Sequence, residues 1–199
     1  MEHTLKVHIV SDTHFSHTNI LSYCPNRNFK TIEAHDEHII GLWNEKVSND
    51  DLVYHLGDFS FCNPQKSIEI VERLNGRKIL IQGNHDHKNL KNADFCSHFE
   101  KIDKYLEIST SFQGNKVKIL LCHFPFESWE GMNRGTYHLH GHIHSVHGTF
   151  KLSHIKRRKD IGVDSREDCG LWELQELLFE VEKEVSSVQT VVPDHHAEI

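Results

Sequence analysis

Several things this chain lacks narrow its function before any motif is read. It has no excess of positive charge: 22 Lys and Arg stand against 29 Asp and Glu, a net charge of −7. That argues against a broad basic face for extended nucleic acid. A nucleotide or a strand end stays open, because bound cations would reverse the local field. It has no paired cysteines either. Cys24, Cys62, Cys96, Cys122 and Cys169 are odd in number, widely spread and without a CxxC, which reads as reduced thiols in a cytosolic protein. Cys122 lies beside His123, but neighbours in a strand face opposite sides, so Cys122 is read as core. No apolar run approaches the roughly 20 residues needed to span a bilayer. No basic-then-apolar leader precedes Leu5-Lys6-Val7-His8-Ile9-Val10. A soluble, cytoplasmic protein with no membrane partner is expected. No internal repeat, low-complexity tract or long linker interrupts the 199 residues, so one domain over 1–199 is expected.

What the chain has in quantity is histidine, 19 residues. The His195-His196 pair near the end reads as tail composition. The rest must be set against the predicted elements. Leu5 to Val10 reads as a buried strand that stops at Ser11-Asp12. Thr31 to about Val47 reads as a helix capped by Thr31, with Ile32, His35/Asp36, Ile39, Ile40, Trp43 and Val47 at helical spacing. Strands follow at Asp51–His55 and Lys78–Gln82, separated by a helix from Pro64 to Leu74 with proline in its first turn and Gly76 past its end. The second half reads mainly as strands: Tyr105–Ile108, Val117–Cys122, Tyr137–His140, His147–Phe150 and Asp160–Val163. An acidic amphipathic helix near 171–185 and a flexible tail near 190–199 close the chain. This order predicts an α/β fold of layered sheets enclosed by helices, with active loops at the strand ends.

Five polar runs fall where strand-like stretches end: Asp12-Thr13-His14, Gly57-Asp58, Gly83-Asn84-His85-Asp86, His123, and Gly141-His142-Ile143-His144. Each alone is weak. An aspartate after a glycine is commonly a turn residue, and a single histidine is commonly core. In an extended segment Asp12 and His14 would share one face, as would His142 and His144. Gly83 permits a tight turn that exposes three polar side chains, and Gly141 permits close backbone approach. Jointly the runs supply enough Asp, Asn and His for two metal ions, the makings of a reaction centre on phosphate.

In this order, D-x-H, G-D, G-N-H-D, H and G-H-x-H, the chain resembles the calcineurin-like metallophosphoesterase superfamily over Val10 through His144. It is most similar to short phage and bacterial members, through Ser11 to His17, Tyr54 to Ser60, Arg134-Gly135, His138 to His142, and Ile161 to Asp164. The resemblance implies a sandwich of two mixed β-sheets flanked by helices, an α/β/β/α architecture. It implies that Asp12, His14 and His144 hold one metal, that Asn84, His123 and His142 hold the other, and that Asp58 bridges them. The activity implied is hydrolysis of a phosphate mono- or diester, a nucleotide-like diester being favoured, by direct attack of a metal-bridging hydroxide. His85 matches the histidine that faces the leaving group, with Asp86 orienting it through a hydrogen bond. Mixed nitrogen and oxygen ligands suit Mn, Fe, Zn or Ni, and Mn is the favoured ion.

One position departs from the pattern. Many members carry an acidic residue three positions after the bridging aspartate, where this chain has Phe61. Candidates for contact with substrate are His17, Arg27, Arg134 and His138. The run Lys156-Arg157-Arg158-Lys159 reads as a solvated loop or a strip that steers an anion. Two other functions compete: a non-catalytic metal-binding interaction module, and a nuclease acting on nucleic-acid ends. The expected partner is a small phosphate ester. The sequence does not specify the oligomeric state.

Overall fold

Short apolar runs broken by glycine and polar turns build most of the strands, and the computed structural model describes residues 5–147 and 155–187. In chain order come β1 (Val7–Val10), α1 (Ile20–Tyr23), α2 (Ile32–Lys46), β2 (Leu52–His55), α3 (Pro64–Val71) and β3 (Arg77–Ile81). Next are α4 (Ala93–Ser97), β4 (Lys101–Asp103), β5 (Tyr105–Phe112), β6 (Asn115–Cys122) and β7 (Tyr137–His140). The last elements are β8 (Arg158–Asp160), β9 (Trp172–Glu173) and α5 (Leu174–Ser187).

The strands form two mixed sheets. One has the order β4-β3-β2-β1-β9, parallel except for β9; the other runs β5-β6-β7-β8, with the β5–β6 hairpin its antiparallel pair. Ile9, Tyr54, Leu56 and Ile81 of the first sheet meet Phe112, Ile119, Leu121, Tyr137 and Leu139 of the second in one apolar cluster. Helix α5 adds Leu174, Leu177, Leu178 and Val181 to that cluster. The opposite face of the first sheet is covered by α2, α3 and α4 through Ile39, Trp43, Ile68, Val71 and Phe95. The two layers therefore rest on the alternation of strand side chains between faces.

Local signals account for the long helices. Thr31 accepts the Ala34 N–H at 3.2 Å, as an N-cap should, and Asn63 does the same for Lys66 ahead of Pro64. Trp43 is fully buried, and its indole N–H donates to Asn75 O at 2.9 Å. Several boundaries differ from expectation. The predicted strand at Asp160–Val163 ends at Asp160, because Val163–Ser165 turns as a 3-10 helix. The first residues of the predicted C-terminal helix pair as β9 with β1 before α5 begins. The hairpin strands extend to a two-residue turn at Gln113-Gly114. Of the strand expected at 147–150, residues 148–150 lie outside the described residues, as does the tail near 190–199. The basic run 156–159 is no free strip: Arg157 pairs with Glu182 at 2.6 Å and Lys159 pairs with Glu184, tying β8 to the acidic side of α5. Among the described residues no helix is long and apolar enough to cross a membrane.

Candidate metal centre

Six strands, β1, β2, β3, β6, β7 and β8, direct their C-terminal ends at one place. The loops that leave them carry Asp12 and His14, Asp58, Asn84 and His85, His123, His142 and His144, and Asp164. A parallel arrangement gathers loops in this way because every such strand ends on the same edge. The segments are not extended, which corrects the spacing argument. Asp12 (φ 57°), His14 (φ 48°), Asp58 (φ 55°), His142 (φ 73°) and His144 (φ 50°) all occupy the left-handed region. Each such residue costs on the order of 1–3 kcal/mol and persists only where the surroundings dictate it. Here the surroundings are explicit. Asp12 N–H donates to Gly57 O and His14 N–H to Asp58 O, both at 3.0 Å, and His142 N–H donates to Asp12 Oδ2 at 3.0 Å. The loops touch so closely that a Cβ on Gly83 would lie 2.2 Å from Asp58 Oδ1, and one on Gly141 would lie 2.2 Å from Asp12 Oδ2.

Three imidazoles are held with Nε2 facing inward. His123 Nδ1 donates to Leu56 O at 2.8 Å, His144 Nδ1 lies 2.7 Å from Asp164 Oδ2, and His14 Nδ1 lies 3.1 Å from His17 Nδ1. The carbonyl and carboxylate fix Nδ1 as a protonated nitrogen in His123 and His144, and in His14 the contact with His17 engages Nδ1, so that in each ring Nε2 is the nitrogen turned toward a cation. The inward atoms converge. His14 Nε2 and His144 Nε2 lie 3.9 and 3.8 Å from Asp12 Oδ1, and His14 Nε2 lies 3.6 Å from Asp58 Oδ2. His123 Nε2 is 3.5 Å from Asp58 Oδ2 and 2.9 Å from Asn84 Oδ1. Among the described residues three groups have the spacing to hold a metal ion, Asp12-His14-His144, Asp12-Asp58-His123 and Cys24-His144-Asp164; in the third, Asp164 is already committed to Arg27 and to His144 Nδ1. His142 stands at the exposed rim, its ring 5.1 Å from that of His123. Asp12 Oδ1 and His14 Nε2 are buried with no hydrogen-bond partner. Orphaned groups of that kind are costly unless something binds them. Divalent cations fit this donor set of carboxylates, amide oxygen and imidazoles.

Burial and mutual contact shift the proton affinities of these groups in both directions. Burial pushes the Asp12 carboxyl up to about 7. Burial also opposes ionisation of Asp58, but the hydrogen bond and charge of His123 hold it below the usual carboxylate range. Burial likewise works against a charged His144, yet the Asp164 carboxylate raises it to about 10.

Some residues expected at the site have other work. Asp86 does not orient His85. Its fully buried carboxylate accepts the N–H groups of Gly83, Asp58 and Phe59 at 2.8–3.0 Å, so it clamps the second and third loops together. Arg27 is not at an open surface. It is 1% exposed, donates Nε and Nη2 to Asp164 at 2.8 and 2.6 Å, and reaches the carbonyls of Asp12 and Thr13. A free guanidinium is a phosphate binder, but one wholly enclosed is a scaffold. Arg134 lies before β7 begins, beside Lys116 and Val117 at the start of β6, so it stands at the end of the sheet away from the metal loops. His138 is buried on β7 among Phe126, Trp129 and His140, and accepts the Phe126 N–H on Nε2 at 2.9 Å. His17 is at the site, but its Nδ1 is committed to His14 and its ring stacks on Phe61, centroids 3.9 Å apart. His85 is at the site too, with Nε2 3.9 Å from Asp58 Oδ2 and the side chain 39% exposed.

The sequence reading missed the support beneath the first loop. Asp164 bonds both His144 and Arg27; Arg27 reaches His35; His35 Nδ1 meets Asp36 Oδ1 at 2.9 Å; and Asp36 Oδ2 accepts the Ser16 N–H. Asp36 and His35 lie on α2, where helical periodicity read them only as part of a buried face. Their polarity at buried helix positions was the available signal.

Comparisons with known proteins bear on the family and the fold. The sequence pattern of the calcineurin-like phosphoesterase family matches residues 5–199. An uncharacterized protein of Methanocaldococcus jannaschii is 35% identical over 144 residues, 71% of each chain. The gene 66 protein of Mycobacterium phage D29 is 28% identical over 89% of this chain and 98% of its own. A protein of unknown function from Aquifex aeolicus has the same fold, with a TM-score of 0.65 at 23% identity, covering 91% of this chain and all of that one.

Proposed function

The chain belongs to the calcineurin-like phosphoesterase family, and on that premise we propose that it hydrolyses a phosphodiester of nucleotide-like type with the help of two divalent cations. The observation that carries the reading is the pair of buried, unpartnered atoms Asp12 Oδ1 and His14 Nε2, aimed where Asp58 and His144 also converge. Asp12, His14 and His144 would hold one cation. Asn84, His123 and His142 would hold the other, with Asp58 shared between them. Two such ions supply Lewis acidity, which makes water more acidic and offsets charge on phosphoryl oxygens. The donor set suits Mn, Fe, Zn or Ni, and Mn is the ion proposed for activity in vitro.

The chain's own residues set the rest. Asp86 and the Gly83 contact hold Asp58 rigidly beneath the open side. His85 stands at that open side, where Nε2 can hold a proton for the departing oxygen. Asp164 and His17 keep His144 and His14 in the orientation that presents Nε2. The test is turnover of bis(p-nitrophenyl) phosphate with added Mn, together with metal analysis of the purified protein. Hydrolysis that disappears with bound metal in Asp58→Ala is the expected result. No turnover with any divalent ion, and less than one metal per chain on a folded protein, would overturn it in favour of a non-catalytic module.

A further inference from the structure

Next to the cation-holding atoms lies aromatic carbon that the chemistry described so far does not use. Phe61 follows Asp58-Phe59-Ser60 and is pinned by its N–H, which donates to Phe15 O at 2.9 Å. Phe15 and Phe59 in the same paired loops are fully buried, as apolar rings ordinarily are. Phe61 instead turns outward and is 48% exposed. Its placement is specific. One side is backed by His17, nearly parallel at an interplanar angle of 11°. The His85 ring lies 4.8 Å away and the His14 ring 6.4 Å away. Tyr23, also exposed, extends the same wall beyond His17.

A backed, partly open phenyl ring beside the histidine that serves the leaving group has the form of a platform for a planar substituent. We propose that Phe61 is a specificity-determining residue that stacks the base of a leaving nucleoside, so that the preferred ester is a nucleotide-class diester. This rests on the hydrolase reading above and deepens it. Every nucleobase has a π-face, so stacking of this kind selects for a base without choosing among bases. The lack of net positive charge on the chain is consistent with recognition through the ring and the phosphate, not through an extended backbone.

The test is equilibrium binding of AMP and of ribose 5-phosphate, which share sugar and phosphate, to Mn-supplemented protein by calorimetry. Wild type should bind AMP about tenfold or more tightly than ribose 5-phosphate. Phe61→Leu, apolar but not planar, should erase that preference by weakening AMP alone, and Phe61→Trp should keep it. In Phe61→Trp the new indole fluorescence should be quenched by AMP and not by ribose 5-phosphate. An AMP preference that survives Phe61→Leu, or no preference in wild type, overturns the platform. If neither ligand binds while bis(p-nitrophenyl) phosphate is still hydrolysed, the platform alone fails. Loss of both binding and hydrolysis in wild type overturns the reading beneath it.

Discussion

Asp164 is the position where substitution should weaken both folding and metal binding, and where a second substitution at Arg27 should separate the two. Its two oxygens take four hydrogen bonds: Asn26 Nδ2 and Arg27 Nε on Oδ1, and Arg27 Nη2 and His144 Nδ1 on Oδ2, at 2.6–3.1 Å. Neither Asp164 nor the Arg27 side chain is exposed. Asp164→Ala therefore leaves a guanidinium enclosed without its counter-charge, a defect of about 3–5 kcal/mol. For a chain of this size each kcal/mol lowers Tm by about 2–4 °C, so a drop on the order of 10 °C is expected. The same substitution frees His144 Nδ1, and loss of such a partner weakens metal binding by about 10–100-fold. The double variant Arg27→Met/Asp164→Leu removes both charges. It should recover most of the stability, since replacing both members of a buried pair by apolar groups is often neutral or better. It should not recover metal affinity, because His144 still lacks its acceptor. Thermal unfolding without metal and calorimetric titration with Mn read the two effects separately. Wild-type Mn affinity in the double variant would refute the view that Asp164 acts by holding His144.

The other predictions are shorter. His85→Ala should keep its metal content, measured by elemental analysis, while kcat falls by about 10²–10⁴-fold; unchanged turnover would remove His85 from the leaving-group role. Gly83→Ala drives a Cβ to within 2.4 Å of Asp58 N, and should lower the urea midpoint by an amount corresponding to about 1–3 kcal/mol; an unchanged midpoint would contradict the close loop contact. Burial lowers the buried His138 to about 4, so between the unfolded value near 6.5 and pH 4 the unfolded chain binds more protons than the folded one. Stability from His138 is full above about pH 6.5 and lost as pH falls, by about 2 kcal/mol at pH 5. Urea unfolding at pH 7 and pH 5 should show a smaller difference in His138→Gln, and an equal one would refute the assignment.

The first half of the fold was legible because its signals are local. The cap at Thr31, the Pro64 start of α3 and the apolar runs of β1, β2 and β3 depend on neighbours a few residues away. The short elements were not legible. Five-residue α4, three-residue β4 and two-residue β9 have too little length for a period to show, and β9 exists only because β1 lies beside it. The roles of Arg27, Arg134, His138 and Asp86 were misjudged for one reason: a polar side chain near a motif in sequence carries no direction. Asp86 turned to the backbone of the second loop, and Arg27 turned inward to Asp164.

What the sequence determined by itself is the donor inventory, its order, and the strand ends on which it stands. Residue type fixes what an atom can bind, and that needs no fold. What only the tertiary structure decided is which nitrogen of each histidine faces inward, since His123, His144 and His14 are oriented by Leu56 O, Asp164 and His17. It also decided that Asp12, His14, His142 and His144 take left-handed backbone angles, a conformation that isolated chain disfavours and that hydrogen bonds to neighbouring loops hold in place. Phe61 makes the same point. Its chemistry was plain from its letter, but its position beside His85, open on one side and backed by His17, comes from loops more than 20 residues apart in the chain.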